Sequence, residues 1–429
     1  MAEYIVEGSN RLSGNVRISG AKNSALPILA ATLMIGDEVC IKNCPDLSDV
    51  NATVNILRLL GCQVRREGST LVINSLGASF KEIPEPLMHE MRSSIIFLGA
   101  LLSRYNEARL SMPGGCELGP RPIDLHLFAL KLMGTSVKND CGVLECKATN
   151  GLCGAKISLR FPSVGATENI ILAAVRAKGT TEIYNAAKEP EIVDLAGFLN
   201  SCGARIYNAG NSTITIEGVS RLHGCTYSVM PDRIETATFM SAAALTQGNI
   251  VLEKVSTSDL RSVLPTFEEL GCSMRCSADQ LEISMNKRPN RLKNLVTMPH
   301  PGFPTDAQAA VMAVTTVANG TSVFIENIFE NRYKHAYELV RMGADIQISG
   351  RAAVVQGVKR LHGATVQSTD LRSGAALCIA ALNAEGITTI GEIHHIARGY
   401  ENFEDKLKAL GANIRKENAG EQTKQTGLY

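Results

Sequence analysis

The sequence lacks an excess of charge of either sign. Its 429 residues carry 43 Lys and Arg against 42 Asp and Glu, which leaves a formal net charge of +1. A protein that binds nucleic acid mainly through its phosphates carries a clear basic excess. The balance speaks against that class of protein, and no nucleic-acid partner is expected.

Long apolar runs are also missing. The first twenty residues, MAEYIVEGSNRLSGNVRISG, contain no apolar core of the kind found in signal peptides. The longest apolar stretches, such as ALPILAATLMIG, are shorter than the roughly 20 residues needed to span a bilayer. We therefore expect a cytosolic protein with no membrane association.

Spacings typical of metal ligands are absent as well. The 12 cysteines are scattered and none forms a CxxC pair. Without an export signal they are expected to be reduced. Of the eight histidines only His394 and His395 are adjacent, and adjacent residues rarely share one metal. The sequence predicts no disulfide framework and no metal site.

What the sequence does contain is internal repetition. A helix end with Leu, Met or Cys, then Gly and a small residue, recurs at intervals of 68 to 73 residues. The six marks are Gly61, Gly134, Gly203, Gly271, Gly343 and Gly411. Around each mark the pattern predicts strand, helix, strand, helix and a hairpin. Because the chain is too long for one core, six βαβαββ units predict two α/β domains with three units each.

The repeats also predict where the chain crosses between domains. The midpoint falls near Met230, between the first strand and first helix of unit four, and by symmetry the other crossing lies near Gly20 to Lys22. We expect one domain over 22–230, and a second built from 1–21 and 231–429. A cleft between them is the expected active site. The sixth unit lacks its last hairpin strand, which the N-terminal segment YIVEG is predicted to supply.

The first helix of each unit is apolar on nearly every face, as in SALPILAATLMI and ETATFMSAAAL, and is therefore predicted to be buried. Left-handed caps are expected to end these helices, at Gly36, Asn106, Gly179, Gly248, Gly320 and Gly386.

Polar residues stand at the starts of these apolar helices. They are Lys22 with Asn23, Arg92, Asp232 with Arg233, Asp306, and Asp370 with Arg372. The free N–H groups and dipole of a buried helix start favour an anion. Ordinary N-capping is an alternative for the aspartates. It does not account for the cations, which the helix dipole opposes unless an anion is present.

The segment PGGCELGPRPIDLH, residues 113–126, places Cys116 among turn-forming glycines and five residues before Arg121. A nearby cation favours the thiolate and so raises the reactivity of a cysteine. The alternative is an ordinary loop cysteine.

Together with this loop, the segments SGAKNSALP, PSVGATENI, PTDAQA, FENRY, TDLRSGAAL and ARGYENFEDKLKALGA resemble the UDP-N-acetylglucosamine enolpyruvyl transferases, or UDP-N-acetylglucosamine 1-carboxyvinyltransferases, of the enolpyruvyl transferase family. The resemblance covers nearly the whole chain. It implies a two-domain inside-out α/β barrel with six βαβαββ repeats, three per domain.

The activity implied by the resemblance is transfer of the enolpyruvyl group of phosphoenolpyruvate to the 3′-hydroxyl of UDP-N-acetylglucosamine, with release of phosphate. This is the first committed step of peptidoglycan synthesis, and so of cell-wall biogenesis, cell shape and cell division. It implies two small-molecule substrates and no cofactor or metal, because Lys and Arg neutralise the substrate charges.

The resemblance also implies roles for single residues. Lys22 pairs with the phosphate or carboxylate of phosphoenolpyruvate, and Asn23 hydrogen-bonds the tetrahedral intermediate. Arg121 and Arg398 clamp phosphoenolpyruvate, and Arg372 acts on its carboxylate side.

Two further residues are implied in proton transfer. Cys116 protonates carbon 3 of phosphoenolpyruvate or assists product release, and is the residue that fosfomycin alkylates. Asp306 takes the proton of the sugar hydroxyl. The substrate-lining residues implied are Arg92, Arg121, Pro122, Ile123, Asp124, Leu125, Ser163, Val164, Gly165, Ile328 and Asp370.

One departure and two alternatives accompany this interpretation. Some relatives carry Lys-Val where this chain has Phe161-Pro162, so a cation contact to the diphosphate is in question there. An enolpyruvyl transferase acting on shikimate 3-phosphate is one alternative, although its Gly-Asn-Ala-Gly-Thr-type loop is absent. A non-catalytic UDP-sugar-binding relative is the other, and the presence of Cys116, Lys22 and Asp306 argues against it.

Overall fold

The computed structural model describes residues 2–8, 10–112 and 122–418. The chain divides into two compact units. One unit runs from Gly20 to Met230, and is called here the middle unit. The other joins the segment up to Ser19 with the chain from Pro231 onward, and is called here the outer unit. Cys116 and Arg121 lie outside the described residues.

The strands are short, mostly three to six residues. In chain order they are β1 (Ala2–Glu7), β2 (Ser13–Arg17), β3 (Glu38–Lys42), β4 (Gln63–Glu67), β5 (Thr70–Asn74), β6 (Glu107–Ser111), β7 (Ser136–Asp140), β8 (Val143–Lys147), β9 (Lys156–Ser158), β10 (Thr180–Tyr184), β11 (Arg205–Tyr207), β12 (Thr213–Glu217), β13 (Thr226–Ser228), β14 (Asn249–Glu253), β15 (Ser273–Cys276), β16 (Gln280–Ser284), β17 (Leu295–Val296), β18 (Thr321–Ile325), β19 (Asp345–Ser349), β20 (Ala352–Gln356), β21 (Leu361–His362), β22 (Thr365–Gln367), β23 (Ala384–Glu385), β24 (Ile387–Gly391) and β25 (Asn413–Asn418).

The helices alternate with these strands. They are α1 (Lys22–Ile35), α2 (Ser48–Leu59), α3 (Glu85–Glu90), α4 (Phe97–Tyr105), α5 (Asp124–Leu132), α6 (Val164–Ala174), α7 (Pro190–Ser201), α8 (Arg233–Thr246), α9 (Leu264–Leu270), α10 (Thr305–Thr315), α11 (Lys334–Arg341), α12 (Leu371–Ala381) and α13 (Phe403–Ala409). Short 3₁₀ helices span Arg92–Ile96, Thr257–Leu260 and Ile393–Arg398. None of the helices in the described ranges combines the length and hydropathy needed to cross a bilayer.

Among the described residues, the middle unit contains three sheets, with strand orders β13-β3-β5-β4, β6-β8-β7 and β11-β12-β10-β9. The second sheet lacks the first strand that the repeat pattern predicts, because Ile83 forms only an isolated bridge to Leu110. Pro84 and Pro86 follow, and proline cannot donate to a sheet ladder, so pairing stops there.

The described part of the outer unit contains three four-stranded sheets, with orders β15-β16-β14-β2, β17-β18-β20-β19 and β22-β24-β1-β25, and the two-stranded pair β21-β23. The N-terminal strand β1 lies antiparallel between β24 and β25, where Tyr4 faces Ile390 on one side and Lys416 on the other. The prediction that the N-terminal segment completes the sixth unit is confirmed.

At each crossing between the units, the strand that precedes the first helix of a repeat belongs to a sheet of the other unit. β2 precedes α1 in sequence but pairs in parallel with β14, with Val16 opposite Leu252. β13 precedes α8 but pairs in parallel with β3, with Tyr227 opposite Ile41. Each unit therefore contains the first strand of a repeat whose helices belong to the other unit.

Each unit has its own apolar core, built around the first helices. In α1 every residue from Ser24 to Ile35 is buried, and α8 is buried throughout. The predicted two-domain α/β fold with buried first helices is confirmed. Because helices fill the centres, the sheets stay separate, and none of those in the described ranges closes into a barrel.

The predicted left-handed caps are confirmed at Gly36 and Asn106, with φ of 71° and 57°. The prediction for Gly248 is wrong, because Gln247 ends α8 with φ of 52°. Gly248 is required for close approach instead, since a Cβ there would stand 2.4 Å from the Leu12 carbonyl oxygen. Gly179, Gly320 and Gly386 also have positive φ, but they follow the ends of their helices rather than capping them.

Candidate active site

Lys22 is the first residue of α1 and pairs with Asp49 in the first turn of α2. The distance from Lys22 Nζ to Asp49 Oδ2 is 2.6 Å, and the two side chains are 11% and 3% exposed. A cation at a helix start is opposed by the dipole, and the buried carboxylate offsets that repulsion. Asn23 follows, half-buried. The sequence analysis missed Asp49, because its contact with Lys22 joins two different helices.

The start of α1 is fixed by a half-buried carboxylate on α7. Asp194 accepts hydrogen bonds from the hydroxyl groups of Ser24 and Tyr227, and from the backbone N–H of Met230 at 3.2 Å. Burial raises the pKa of Asp194, although these hydrogen bonds oppose the shift. The backbone N–H of Ala21 also donates to Met230 at 2.7 Å. The turn that carries Lys22 is thus tied to the end of the middle unit.

The predicted UDP-sugar residues around α5 lie at its N-terminus. Pro122 is exposed, Ile123 is buried, and Asp124 and Leu125 are half-buried. Asp124 pairs with the exposed Arg160. Arg160 precedes Phe161-Pro162, so a cation does stand next to the position where the sequence analysis found none. It was missed because it lies one residue earlier than the lysine of the resembling proteins.

Ser163, Val164 and Gly165 form the start of α6. The Ser163 hydroxyl accepts the backbone N–H of Ala166 at 3.3 Å, so it is an N-cap. Gly165 lies against α5, since a Cβ there would be 3.2 Å from Cε1 of His126. The structure therefore brings the starts of α5 and α6 together. Two adjacent helix starts favour an anionic ligand.

The third predicted segment of this group starts at Arg92, where a short 3₁₀ helix spanning Arg92–Ile96 leads into α4. The Arg92 side chain lies outside the described part of the structure, as does the loop 113–121 with Cys116 and Arg121.

In the outer unit, Asp306 lies between two arginines. Its Oδ1 is 3.2 Å from Nη2 of Arg332, and its Oδ2 is 3.0 Å from Nη2 of Arg372. Both arginine side chains are nearly buried, at 3% and 4% exposure, whereas Asp306 is 28% exposed. Arg332 belongs to the FENRY segment, whose role the sequence analysis did not identify.

Asp370 is the N-cap of α12, as the capping alternative predicted. Its Oδ1 accepts the backbone N–H groups of Arg372 at 2.9 Å and Ser373 at 3.1 Å. The Arg372 guanidinium lies over the Tyr400 ring, 5.3 Å from its centroid. Burial opposes the charge of Arg372, but Tyr400 and Asp306 outweigh it and raise its pKa. Arg372 therefore stays charged inside the unit.

Ile328 is placed by the buried carboxylate of Glu326. One oxygen of Glu326 accepts the backbone N–H groups of Ile328 at 2.8 Å and Phe329 at 3.0 Å. The other accepts the hydroxyl of Thr305 at 3.0 Å. Because Thr305 is the first residue of α10, the Ile328 turn lies beside the helix start that carries Asp306.

Arg398 ends the 3₁₀ helix Ile393–Arg398, which packs closely on α12. A Cβ on Gly374 would be 2.6 Å from Ile396, and a Cβ on Gly399 would be 2.6 Å from Leu371. These glycines are needed for the close approach, which brings half-buried Arg398 near the start of α12. The structure thus gathers Asp306, Ile328, Asp370, Arg372 and Arg398 in one unit, and Lys22, Asn23, Asp124 and Ser163 to Gly165 in the other.

Glu392, His394 and His395 have ligand atoms within 4.8 Å of one another, a spacing that could hold a metal ion. The Nδ1 atom of His394 is 3.2 Å from a Glu392 carboxylate oxygen. Burial, then the neighbouring His394 and Arg398, lower the pKa of His395. Arg398 disfavours a proton on His395, and for the same electrostatic reason it disfavours a metal cation at this cluster.

A family model places the chain among known proteins. The model described as EPSP synthase (3-phosphoshikimate 1-carboxyvinyltransferase) matches residues 6–407. Among solved structures, the enolpyruvyl transferase NikO from Streptomyces tendae superimposes with a TM-score of 0.89 at 27% identity, over 97% of this chain and 99% of that one. EPSP synthase from Acinetobacter baumannii shares the fold, with a TM-score of 0.76 at 20% identity and coverage of 97% and 100%. The chain belongs to the EPSP synthase family of carboxyvinyltransferases.

Curated relatives narrow the match. The chain is 49% and 48% identical to UDP-N-acetylglucosamine 1-carboxyvinyltransferases 1 and 2 of Caldanaerobacter subterraneus subsp. tengcongensis, over 96% of this chain and 99% of each relative. It is 44% identical to UDP-N-acetylglucosamine 1-carboxyvinyltransferase of a Psychrobacter species, over 97% of both chains. The resemblance seen in the sequence is confirmed.

Proposed function

We propose that this protein transfers the enolpyruvyl group of phosphoenolpyruvate to the 3′-hydroxyl of UDP-N-acetylglucosamine and releases phosphate, in peptidoglycan synthesis. The observation that carries the proposal is the 44% to 49% identity, over nearly full length, to relatives named for this activity. Both units also present charged side chains at the starts of buried helices, which suits substrates with phosphate and carboxylate groups.

The anionic groups of phosphoenolpyruvate would meet Lys22 from the middle unit, and Arg372 and Arg398 from the outer unit. Lys22 is already paired with Asp49, so its ammonium group is oriented before substrate arrives. Arg372 is held by Asp306 and lies over Tyr400. Groups fixed in this way lose little entropy on binding. That the two units enclose one active site stays a prediction.

The reaction requires an addition followed by an elimination. In the addition, Asp306 takes the proton of the 3′-hydroxyl, the sugar oxygen bonds to carbon 2, and Cys116 gives a proton to carbon 3. In the elimination, the Cys116 thiolate takes a proton back from carbon 3, the bond from carbon 2 to the phosphate oxygen breaks, and the proton held by Asp306 leaves with the phosphate. The product is an enol ether and inorganic phosphate, so atoms and charge balance.

Arg332 and Arg372 hold the Asp306 carboxylate from two sides, which fixes the position of the proposed base. Asp306 is the most exposed of the three side chains, at 28%.

Three finer points belong to this proposal and rest on the sequence. Cys116 is the proposed proton donor and the residue that fosfomycin alkylates, and it lies outside the described residues. Action in the cytosol and independence from cofactors and metals remain predictions as well.

The test is phosphate release by the full chain with both substrates, compared with each substrate alone. We expect release only with both, and its loss in Lys22→Ala. Replacing UDP-N-acetylglucosamine by shikimate 3-phosphate is the control for the alternative activity. Absence of phosphate release with UDP-N-acetylglucosamine, or release with shikimate 3-phosphate instead, contradicts the proposal.

A further inference from the structure

Asn169 on α6 is a fully buried amide that contacts three other segments. Its Oδ1 accepts the backbone N–H of Gly99 on α4 at 2.7 Å. Its Nδ2 donates to the Ile95 carbonyl of the 3₁₀ helix at 3.1 Å, and to Nδ1 of His126 on α5 at 2.8 Å. One side chain therefore joins four helical elements of the middle unit, namely the 3₁₀ helix Arg92–Ile96, α4, α5 and α6.

The partners fix the orientation of this amide. The Gly99 N–H requires an acceptor and the Ile95 carbonyl requires a donor, so only one assignment of oxygen and nitrogen satisfies both. The second hydrogen of Nδ2 then meets Nδ1 of His126, which must be an unprotonated acceptor. His126 is therefore neutral, with its hydrogen on Nε2. Burial lowers the pKa of His126 to about 4, against the opposing effect of Asp124, which agrees with a neutral ring.

Packing leaves these contacts no room to slide. A Cβ on Gly99 would stand 2.4 Å from the backbone oxygen of Asn169 and 2.8 Å from its Oδ1. A Cβ on Gly165 would be 3.2 Å from Cε1 of His126. α6 thus touches α4 and α5 at glycines, and these close approaches limit how far the helices can shift relative to one another.

The segments joined here begin at residues predicted to line the UDP-sugar site: Arg92 begins the 3₁₀ helix, Asp124 begins α5, and Val164 begins α6. We propose that Asn169 is a positioning residue that holds these three starts in register for the UDP-sugar. This inference rests on the proposed function. Because Lys22 is held separately, by Asp49, loss of the Asn169 contacts should affect the UDP-sugar and spare phosphoenolpyruvate.

The test is Asn169→Asp in the full-length enzyme, which keeps the shape but replaces the donor by an acceptor. We expect the KM for UDP-N-acetylglucosamine to rise about tenfold or more, with kcat and the KM for phosphoenolpyruvate within about threefold of wild type. A merely structural role would lower the yield of active enzyme, and so kcat, without separating the two substrates.

The matched control is Thr32→Val, which removes a fully buried hydroxyl hydrogen bond to Leu29 at the far end of α1. It should leave both KM values within about twofold of wild type. If Asn169→Asp does not fold, Asn169→Ser retains a polar group but is too short to bridge the same partners. It should show the same selective rise in KM.

A folded Asn169 variant whose KM for UDP-N-acetylglucosamine stays within about twofold of wild type overturns the inference. Nitrogen NMR of the ligand-free protein tests the network without substrate. We expect the His126 hydrogen on Nε2 in the wild type and a proton on Nδ1 in Asn169→Asp, and a wild-type hydrogen on Nδ1 overturns the inference too. Failure of the wild type to release phosphate would instead contradict the proposed function, so the two failures are distinguishable.

Discussion

The guanidinium group of Arg372 lies side-on to the carboxylate of Asp306, with Nη2 at 3.0 Å and Nε at 3.3 Å from the same oxygen, Oδ2. The bond ties the starts of α10 and α12 together. This ion pair distinguishes the role of Asp306 from that of the other aspartates at helix starts. Asp232 and Asp370 use their carboxylates to cap backbone N–H groups.

Replacing Asp306 by Asn should lower kcat by about 100-fold or more, because an amide cannot accept the hydroxyl proton. The free energy of unfolding should fall by about 1–3 kcal/mol, since two buried arginines lose a charged partner. Steady-state kinetics and urea unfolding measure the two effects. Asp345→Asn, at an exposed strand position, is the control and should change neither. Near wild-type kcat in Asp306→Asn would remove the proposed base.

Asp49→Asn should raise the KM for phosphoenolpyruvate about tenfold, because Lys22 loses the buried carboxylate that orients its ammonium group. The KM for UDP-N-acetylglucosamine should change by less than about threefold. The exposed Asp46→Asn is the matched control nearby. Equal effects on both substrates would show that Asp49 serves folding rather than Lys22.

Glu168 gives a prediction about pH. Burial, then the neighbouring Glu191 and Glu189, raise its pKa well above the ordinary 4.5. The folded chain then keeps a proton that the unfolded chain releases, so this residue lowers stability progressively as pH rises above about 4.5. Glu168→Gln removes that loss. Its stability relative to wild type should increase by about 1 kcal/mol or more between pH 5 and pH 8 in urea unfolding.

The exposed Glu268→Gln is the control for this pH dependence, and its stability relative to wild type should be the same at both pH values. A Glu168→Gln difference that does not grow with pH would mean that Glu168 ionises normally in the folded protein.

For Cys116, a proton donor and an ordinary loop cysteine predict opposite orders of activity for the Ser and Asp variants. If it donates a proton, Cys116→Ser should lose most turnover, because a hydroxyl is a far weaker acid than a thiol. Cys116→Asp should retain substantial turnover, because a carboxyl group can donate a proton, and it should resist fosfomycin. Turnover and fosfomycin inactivation are compared near neutral pH. A fully active Ser variant, or an Asp variant that fosfomycin still inactivates, would contradict the proposed role.

The sequence by itself determined the repeat structure. Helices that are apolar on every face must be buried, so the six marks and the first helices predicted two α/β domains. The incomplete sixth unit likewise predicted the strand that β1 supplies. The family could be recognised from segments that are each local in sequence, taken together: SGAKNSALP, PGGCELGPRPIDLH, PSVGATENI, PTDAQA, FENRY, TDLRSGAAL and ARGYENFEDKLKALGA.

Only the tertiary structure decided which partners these residues have. Asp49 lies outside the family motifs, and although Arg332 and Asn169 lie within FENRY and PSVGATENI, no local pattern shows what any of the three contacts. Their partners Lys22, Asp306 and Ile95 are 26 to 74 positions away along the chain. The same holds for the caps. Local pattern placed a cap at Gly248, but the close approach of the Leu12 carbonyl requires that glycine, and Gln247 takes the left-handed position. Sequence periodicity reports which face of an element is buried, whereas the groups that meet there depend on how the elements pack.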